Sequence, residues 1–444
     1  MKKLFLICFI CIHQLLSAQT INRCKFETEQ IVGLFKEKQF NKITNKVASI
    51  YSAYYSAITL EKDWAELIGT YGEYKSHRLV NLSNNAAGYF SSSTEIQFAY
   101  LPFVLSLSFD SSWQVMSIAF SQSHKIHVAP AYVNVEAFTA YSFKVKNEEY
   151  EMNANLCLPN TNGKHPLVVI IGESGPTDRD GSYDINLPYK DLAWGLSSKG
   201  IASFSMDKRA VAHGIQMLYR RNNYESFTCR EDYLDDLYKA LDTLVQIPSI
   251  DARSIYIIGH GQGGMLIPLI CKEKPFVKGG VFLGVNEKRV QEMMIDQYQY
   301  LTKVTPAKKA EFDLQIRRAK YSMNKKLNPL TEHKYMPFEV QATYWVWLNN
   351  YAHVKLAKKM KQPLLILQGE RDYQVSTENY LLWQKDLKKK KNVQFHLYPK
   401  LNHLFEEGQG ESTYSEYFTK KNIPDYLVSD IYNWLISIEN APLK

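Results

Sequence analysis

The sequence predicts a small α+β unit followed by a mostly parallel α/β sheet with helices on both faces. Three observations carry this reading. At 444 residues the chain is too long for one simple core and suits two domains. Up to about residue 130 the apolar period passes from helical to alternating. Beyond residue 131, short unbroken apolar runs alternate with helical segments, as strands buried on both faces do.

Hydrophobic residues make up 45% and charged residues 22%, which is globular rather than disordered composition. The opening "MKKLFLICFICIHQLLSAQT" has a basic start, an apolar centre and small residues at Ser17 and Ala18. Residues 1–18 therefore read as an export leader cleaved after Ala18, giving a soluble periplasmic or extracellular protein with no transmembrane segment. Without Lys2 and Lys3 the net charge falls from +8 to 8 − 2 = +6. The densest basic run, "KDLKKKKNV" at 385–393, is not interleaved with aromatics and reads as a solvated helix end, so no nucleic-acid partner is expected. Cys24, Cys157, Cys229 and Cys271 remain; no C-x-x-C pair exists, and four sparse cysteines make no disulfide framework.

Taken in order, residues 19–130 form the first domain. Ile31, Leu34 and Phe35 have helical spacing, and "FVLSLSFDSSWQVMSIAF" alternates on both sides of Asp110-Ser111-Ser112, as a hairpin does. The second domain, 131–444, opens with a hairpin in "FTAYSFKVKN" and "YEMNANLCLP". Strands follow in "PLVVIIGES", "IASFSMD", "SIYIIG", "GGVFLGV", "PLLILQGERD" and "VQFHLYPKLNH". Helices are expected at "YKDLAWGLSSKG", near 231–246, and at "PDYLVSDIYNWLISI". Residues 287–362 carry no strand signal and read as an inserted helical cap, with Tyr344, Trp345 and Trp347 packing its interior or lining a pocket.

The run "SIYIIGHGQGGML", 254–266, has the strand–turn–helix shape of a G-x-S-x-G nucleophile elbow, but Gly261 stands where the serine belongs. With "SGPTDRDG", "DKR" at 207–209, and "LQGERDYQV" followed by "PKLNHLF", it makes the second domain resemble the α/β-hydrolase superfamily, in its serine-esterase and serine-aminopeptidase branch. The resemblance implies an α/β-hydrolase fold, a small-molecule acyl or peptide ligand and no cofactor or metal. It implies Asp372 as triad acid, His403 as general base and Gly261 as the vacated nucleophile position. Gln262 and Ser174 become the candidate oxyanion donors. Glu173 departs from the pattern, because a small residue or glycine usually precedes "SGP". A carboxylate turned inward there opposes oxyanion stabilisation; turned outward it has no effect. "DRDGSYD", 178–184, lacks the spacing of an EF-hand loop and reads as a hydrogen-bonded turn. In the first domain "LIGTYGEYKSHR", 67–78, resembles the cystatin-like or nuclear-transport-factor-like domain that precedes the hydrolase in a set of exported bacterial proteins.

Glycine adopts the elbow backbone freely, so the substitution leaves the fold intact and removes the attacking atom. Three functional readings stay open at this point. One is a hydrolase relative without ordinary serine catalysis that keeps its ligand pocket. Another is a hydrolase working through a His403-activated water or an unconventional nucleophile. The last is a non-enzymatic interaction protein whose partner is unknown. Restoring the serine with Gly261→Ser is expected to place an Oγ within reach of His403.

Overall fold

The computed structural model describes residues 21–441 apart from 53–54, 85–89, 100–101, 123–127, 184 and 215–226; the expected leader lies outside the described residues. The chain divides into two compact units, Met1–Ile126 and His127–Lys444.

In the first unit a helix over 21–36 and a helix at Ala57–Tyr71 pack on a four-stranded antiparallel sheet. Its strands run in sequence order: β1 Tyr74–Asn84, β2 Phe90–Phe98, β3 Pro102–Phe109 and β4 Val115–Gln122. Ser56 caps the second helix by accepting a hydrogen bond from the Thr59 N–H. Alternate residues of β2 and β3 are buried, so one face of the sheet meets the helices across Phe35, Trp64, Phe98 and Leu105.

The second unit holds an eight-stranded sheet. Its strands are β5 Phe138–Asn147, β6 Tyr150–Pro159, β7 His165–Ile171, β8 Ala202–Met206, β9 Ile250–His260, β10 Val277–Leu283, β11 Leu364–Gly369 and β12 Val393–Tyr398. They lie in the order β12-β11-β10-β9-β7-β8-β6-β5. The lead-in pairs β5–β6 and β6–β8 are antiparallel, and β8 through β12 pair in parallel. Central β9 is buried without a break from Ser254 to His260, because both faces are covered. On one face lie helices Pro188–Ser198 and Asp425–Glu439; the second presents Leu427, Val428, Ile431, Trp434 and Leu435 at helical spacing. The other face carries helices Asp235–Leu244, Ile267–Glu273 and Thr377–Leu387.

Residues 287–362 contain helices Val290–Val304, Lys309–Ser322, Ala342–Asn350 and His353–Lys359. Tyr344 and Trp345 are buried and also line a cavity beside the elbow, so core packing and pocket lining coincide in them. Trp347 is partly buried against the same core, but it faces a separate surface groove with Thr343 and Tyr351 and does not line that cavity. All four described cysteines are free thiols. Among the described residues no helix is long and apolar enough to cross a membrane.

Ile431 is fully buried between helix Asp425–Glu439 and the sheet. Ile431→Ala should therefore lower unfolding free energy by about 2–5 kcal/mol, read from chemical denaturation.

Candidate active site

The glycines of the elbow let strand and helix meet at van der Waals distance. A Cβ on Gly263 would stand 2.4 Å from the Gly172 carbonyl oxygen at the end of β7. Gly261 has φ 48° and ψ −119°, a left-handed conformation that side chains seldom adopt. An ideal Cβ built on it lies 1.3 Å from Glu173 Oε2. Glu173 therefore points inward, and its carboxylate fills the space that an elbow side chain would take. Gly261→Ser therefore presents an Oγ to His403 only when the Glu173 carboxylate swings aside.

Asp372 follows β11 and His403 follows β12, and both side chains are buried. His403 Nδ1 donates to Asp372 Oδ2 at 2.8 Å. Asp372 Oδ1 accepts the N–H groups of Gln374 and Val375, each at 2.8 Å, which fixes its plane. On the other side of the ring, His403 Nε2 meets Glu173 Oε2 at 3.2 Å. Carboxylate oxygens only accept, so both ring nitrogens carry protons and His403 is an imidazolium. Burial works against this charge, but Asp372 and Glu173 outweigh it and raise the pKa of His403. Burial likewise opposes ionisation of Glu173; the hydrogen bond and charge of His403, with His260 and the Ser174 N–H, outweigh it and hold the carboxyl below its usual range.

The second carboxylate oxygen sits on the two expected oxyanion donors. Glu173 Oε1 accepts the Ser174 N–H at 2.5 Å and the Gln262 N–H at 3.3 Å. The backbone of Glu173 is gripped as firmly. Its N–H donates to the Tyr189 hydroxyl at 3.0 Å. Its carbonyl accepts from Tyr233 Oη at 2.9 Å, Thr177 Oγ1 at 3.1 Å and Lys208 Nζ at 3.4 Å. Lys208 is buried, paired with Asp232 at 3.0 Å, and rests 3.7 Å above the Tyr233 ring.

His260, beside the elbow, is structural. Having accepted from Glu173, the Tyr189 hydroxyl donates to His260 Nδ1 at 2.9 Å, and His260 Nε2 donates to the His403 carbonyl at 2.9 Å. Burial and the charge of His403 lower its pKa to about 4, so it stays neutral. Glu173, His260 and His403 bring potential metal-ligand atoms within 4.8 Å of one another, but these bonds already occupy all four imidazole nitrogens. Over 178–183 the "DRDGSY" stretch is a hydrogen-bonded turn, in which Asp178 Oδ1 accepts the N–H groups of Asp180 and Ser182; Asp184 lies outside the described residues.

A cavity of about 590 Å³ opens beside this cluster, with Ser174 and Gln262 in its wall. Val290, Met293, Met294, Tyr298, Tyr344 and Trp345 of the cap segment supply much of the rest. Gln262 Nε2 donates to Tyr344 Oη at 2.7 Å, and Tyr344 donates to Asp232 at 3.1 Å. The structure thus brings together Gly261, Gln262, Ser174, Glu173, Asp372 and His403. Sequence reasoning missed Tyr189, Tyr233 and Asp232; Tyr344 had a signal only as a cap aromatic, and Lys208 only as part of "DKR".

The sheet order, the elbow and the acid–histidine pair at the ends of β11 and β12 define an α/β hydrolase. A family model described as "Serine aminopeptidase, S33" matches residues 181–408, and the chain belongs to that family. The match takes in Gly261, Asp372 and His403 and begins after Glu173. Esterase EstD of Thermotoga maritima is 28% identical over 335 residues, covering 74% of this chain and 76% of that protein. Among solved structures, Est1E from Butyrivibrio proteoclasticus aligns with TM-score 0.44 and 15% identity over 68% of this chain and 99% of its own. Pyrococcus horikoshii acylaminoacyl peptidase aligns with TM-score 0.40 and 17% identity over 74% of this chain and 46% of its own. Membership of the family implies a small-molecule substrate.

The Glu173–His403 pair has a defined pH signature. The raised pKa of His403 stabilises the fold below the ordinary histidine value and loses that effect as pH climbs through the raised one. The lowered pKa of Glu173 stabilises above the ordinary glutamate value and loses it as pH falls through the lowered one. The stability gap between the wild type and Glu173→Gln should therefore be widest between about pH 4.3 and 6.5 and narrow on either side, read from urea unfolding across pH. In the same variant the His403 pKa should fall, followed by the NMR shifts of its ring nitrogens.

Proposed function

We propose that this protein does not perform acyl transfer through an elbow serine and keeps the cavity as a binding site for a small, largely apolar acyl- or peptide-type molecule. One observation carries the reading: the Glu173 carboxylate takes the volume of the missing side chain, 1.3 Å from the position of a Gly261 Cβ. The same carboxylate engages both oxyanion donors, so a substrate carbonyl has no vacant hole to enter. Among the described lining residues Asp232 alone is charged, and Lys208 neutralises it, which favours an uncharged ligand. The acyl class rests on the family and on a relative named as an esterase.

A His403-activated water has less support. Both ring nitrogens already donate to carboxylates, and no lone pair is left to take a proton from water. We further propose that the chain is exported and that its first unit is the cystatin-like domain of the sequence resemblance. Both rest on sequence alone; signal-peptide processing in a fractionated host tests the first.

Short p-nitrophenyl esters and a fluorophosphonate probe test the main reading. The wild type should give neither ester turnover nor a covalent adduct. Gly261→Ser alone should stay far below the double variant, because Glu173 still competes for His403 and both N–H donors. Gly261→Ser with Glu173→Gly frees the elbow and both donors, and should gain probe labelling and raise esterase rate by at least about 100-fold over the single variant. Ester turnover in the wild type that survives Glu173→Gln would sink the reading.

A further inference from the structure

We infer that the lysine-rich pole at the start of β11 and β12 is a docking surface for a bilayer rich in anionic phospholipid, which the protein binds peripherally. This pole is remote from the elbow, and its role is independent of what the cavity holds.

The first support is that two separate segments build one pole. Lys355, Lys358, Lys359 and Lys361 lie on and just after helix His353–Lys359. Lys385, Lys388, Lys389, Lys390 and Lys391 lie at the end of helix Thr377–Leu387 and in the turn after it. Hydrogen bonds tie the segments together. Asn392 Nδ2 donates to the carbonyls of Lys361 at 3.0 Å and Gln362 at 2.8 Å, and Lys390 Nζ donates to the Lys358 carbonyl at 3.0 Å. Leu364 of β11 pairs with Val393 of β12, so Lys361 and Lys391 precede the same end of the sheet.

The second support is charge. Nine lysines and one acid, Asp386, give residues 355–361 and 385–391 together 9 − 1 = +8. That equals the formal net charge of the whole chain, so all other residues sum to zero. Every one of these lysines except Lys390 is exposed. Among the described residues their one ion pair is Lys358 with Asp386, at 2.8 Å. A concentrated positive field that the protein does not neutralise is complementary to a dense anionic surface.

The third support is residue type. Every cation here is lysine, a compact point charge; none is arginine, whose planar fork recognises single phosphates and carboxylates. The aromatics of helix Thr377–Leu387, Tyr380 and Trp383, are buried and offer no platform for stacking bases. An apolar side chain stands among the charges instead. Leu381 is 58% exposed, and Lys385 and Lys388 follow it by four and seven positions, on the same helix face. In a bilayer the ammonium groups meet the headgroup phosphates and the leucine enters the acyl boundary.

The placement leaves the cavity free. Asp372 and His403 follow the opposite ends of β11 and β12, as Ser174 and Gln262 of the cavity wall follow β7 and β9. Docking through the lysines therefore holds the cavity at the far end of the sheet from the lipid.

The full chain is sedimented with vesicles of phosphatidylcholine and phosphatidylglycerol in equal parts, and with vesicles of phosphatidylcholine alone. It should bind the first at about 0.1 M salt, leave them at about 1 M, and ignore the second. Each lysine near such a surface strengthens binding roughly fivefold. Lys385→Gln, Lys388→Gln, Lys389→Gln and Lys391→Gln combined should therefore weaken binding by at least about 30-fold, and so should Lys355→Gln, Lys359→Gln and Lys361→Gln combined. Lys25→Gln, Lys42→Gln and Lys62→Gln combined, a like charge loss in the first unit, should leave it unchanged. All these lysines are exposed, so the variants keep the fold, which thermal melts check. No binding to the anionic vesicles, equal binding to both kinds, a loss confined to the 385–391 set, or a like loss in the first-unit variant overturns the inference. So does displacement from the vesicles by heparin or single-stranded DNA at equal anionic charge.

Discussion

The site is organised by one carboxylate that reaches across an empty position. Gly261 supplies no side chain, and Glu173 enters the gap to meet His403 on one oxygen and the Ser174 and Gln262 N–H groups on the other. Two carboxylates and one imidazolium then share a row, Asp372–His403–Glu173, buried at Asp372 and His403 and partly exposed at Glu173. Charges so placed are costly to desolvate and persist only when each is paired and hydrogen-bonded. Every oxygen of Asp372 and Glu173 has a donor, and each His403 nitrogen has an acceptor.

The surroundings explain why Glu173 turns inward. Its backbone is held at the N–H by Tyr189 and at the carbonyl by Tyr233, Thr177 and Lys208, so the loop direction is set before the side chain is placed. The same contacts tie the loop to the cap. Lys208 pairs with Asp232, Asp232 accepts from Tyr344, and Tyr344 accepts from the Gln262 amide. A continuous polar path thus joins the cap helix, the elbow and the loop, in a region whose other walls are largely apolar.

Much of the fold was legible because its signals are local. Unbroken apolar runs give β7, β9, β10 and β11, and alternation gives the β3–β4 hairpin. Asp372, His403 and Gly261 could be located because each sits at a strand end inside a short motif. The direction of Glu173 could not be read: the sequence shows an unusual residue before "SGP" but not the space left by Gly261, which lies 88 positions on (261 − 173 = 88). The hydrogen-bond partners of Tyr233 and Tyr344 could not be read either, since they reach Glu173 and Gln262 across 60 and 82 positions of chain. Pocket lining by Trp345 but not Trp347 depends on helix rotation within the cap, which an aromatic-rich segment does not encode on its own.

The fit between Gly261 and Glu173 also constrains how the site can change by single substitutions. Any side chain at 261 displaces the carboxylate from His403, and the φ of 48° adds strain. A glycine at 173 leaves protonated His403 facing a void and strips both N–H donors of their acceptor. Each single step is thus penalised by the residue still standing at the other position, and only the joint change relieves both. The two positions are therefore coupled, and the effect of a change at either one depends on the residue still standing at the other.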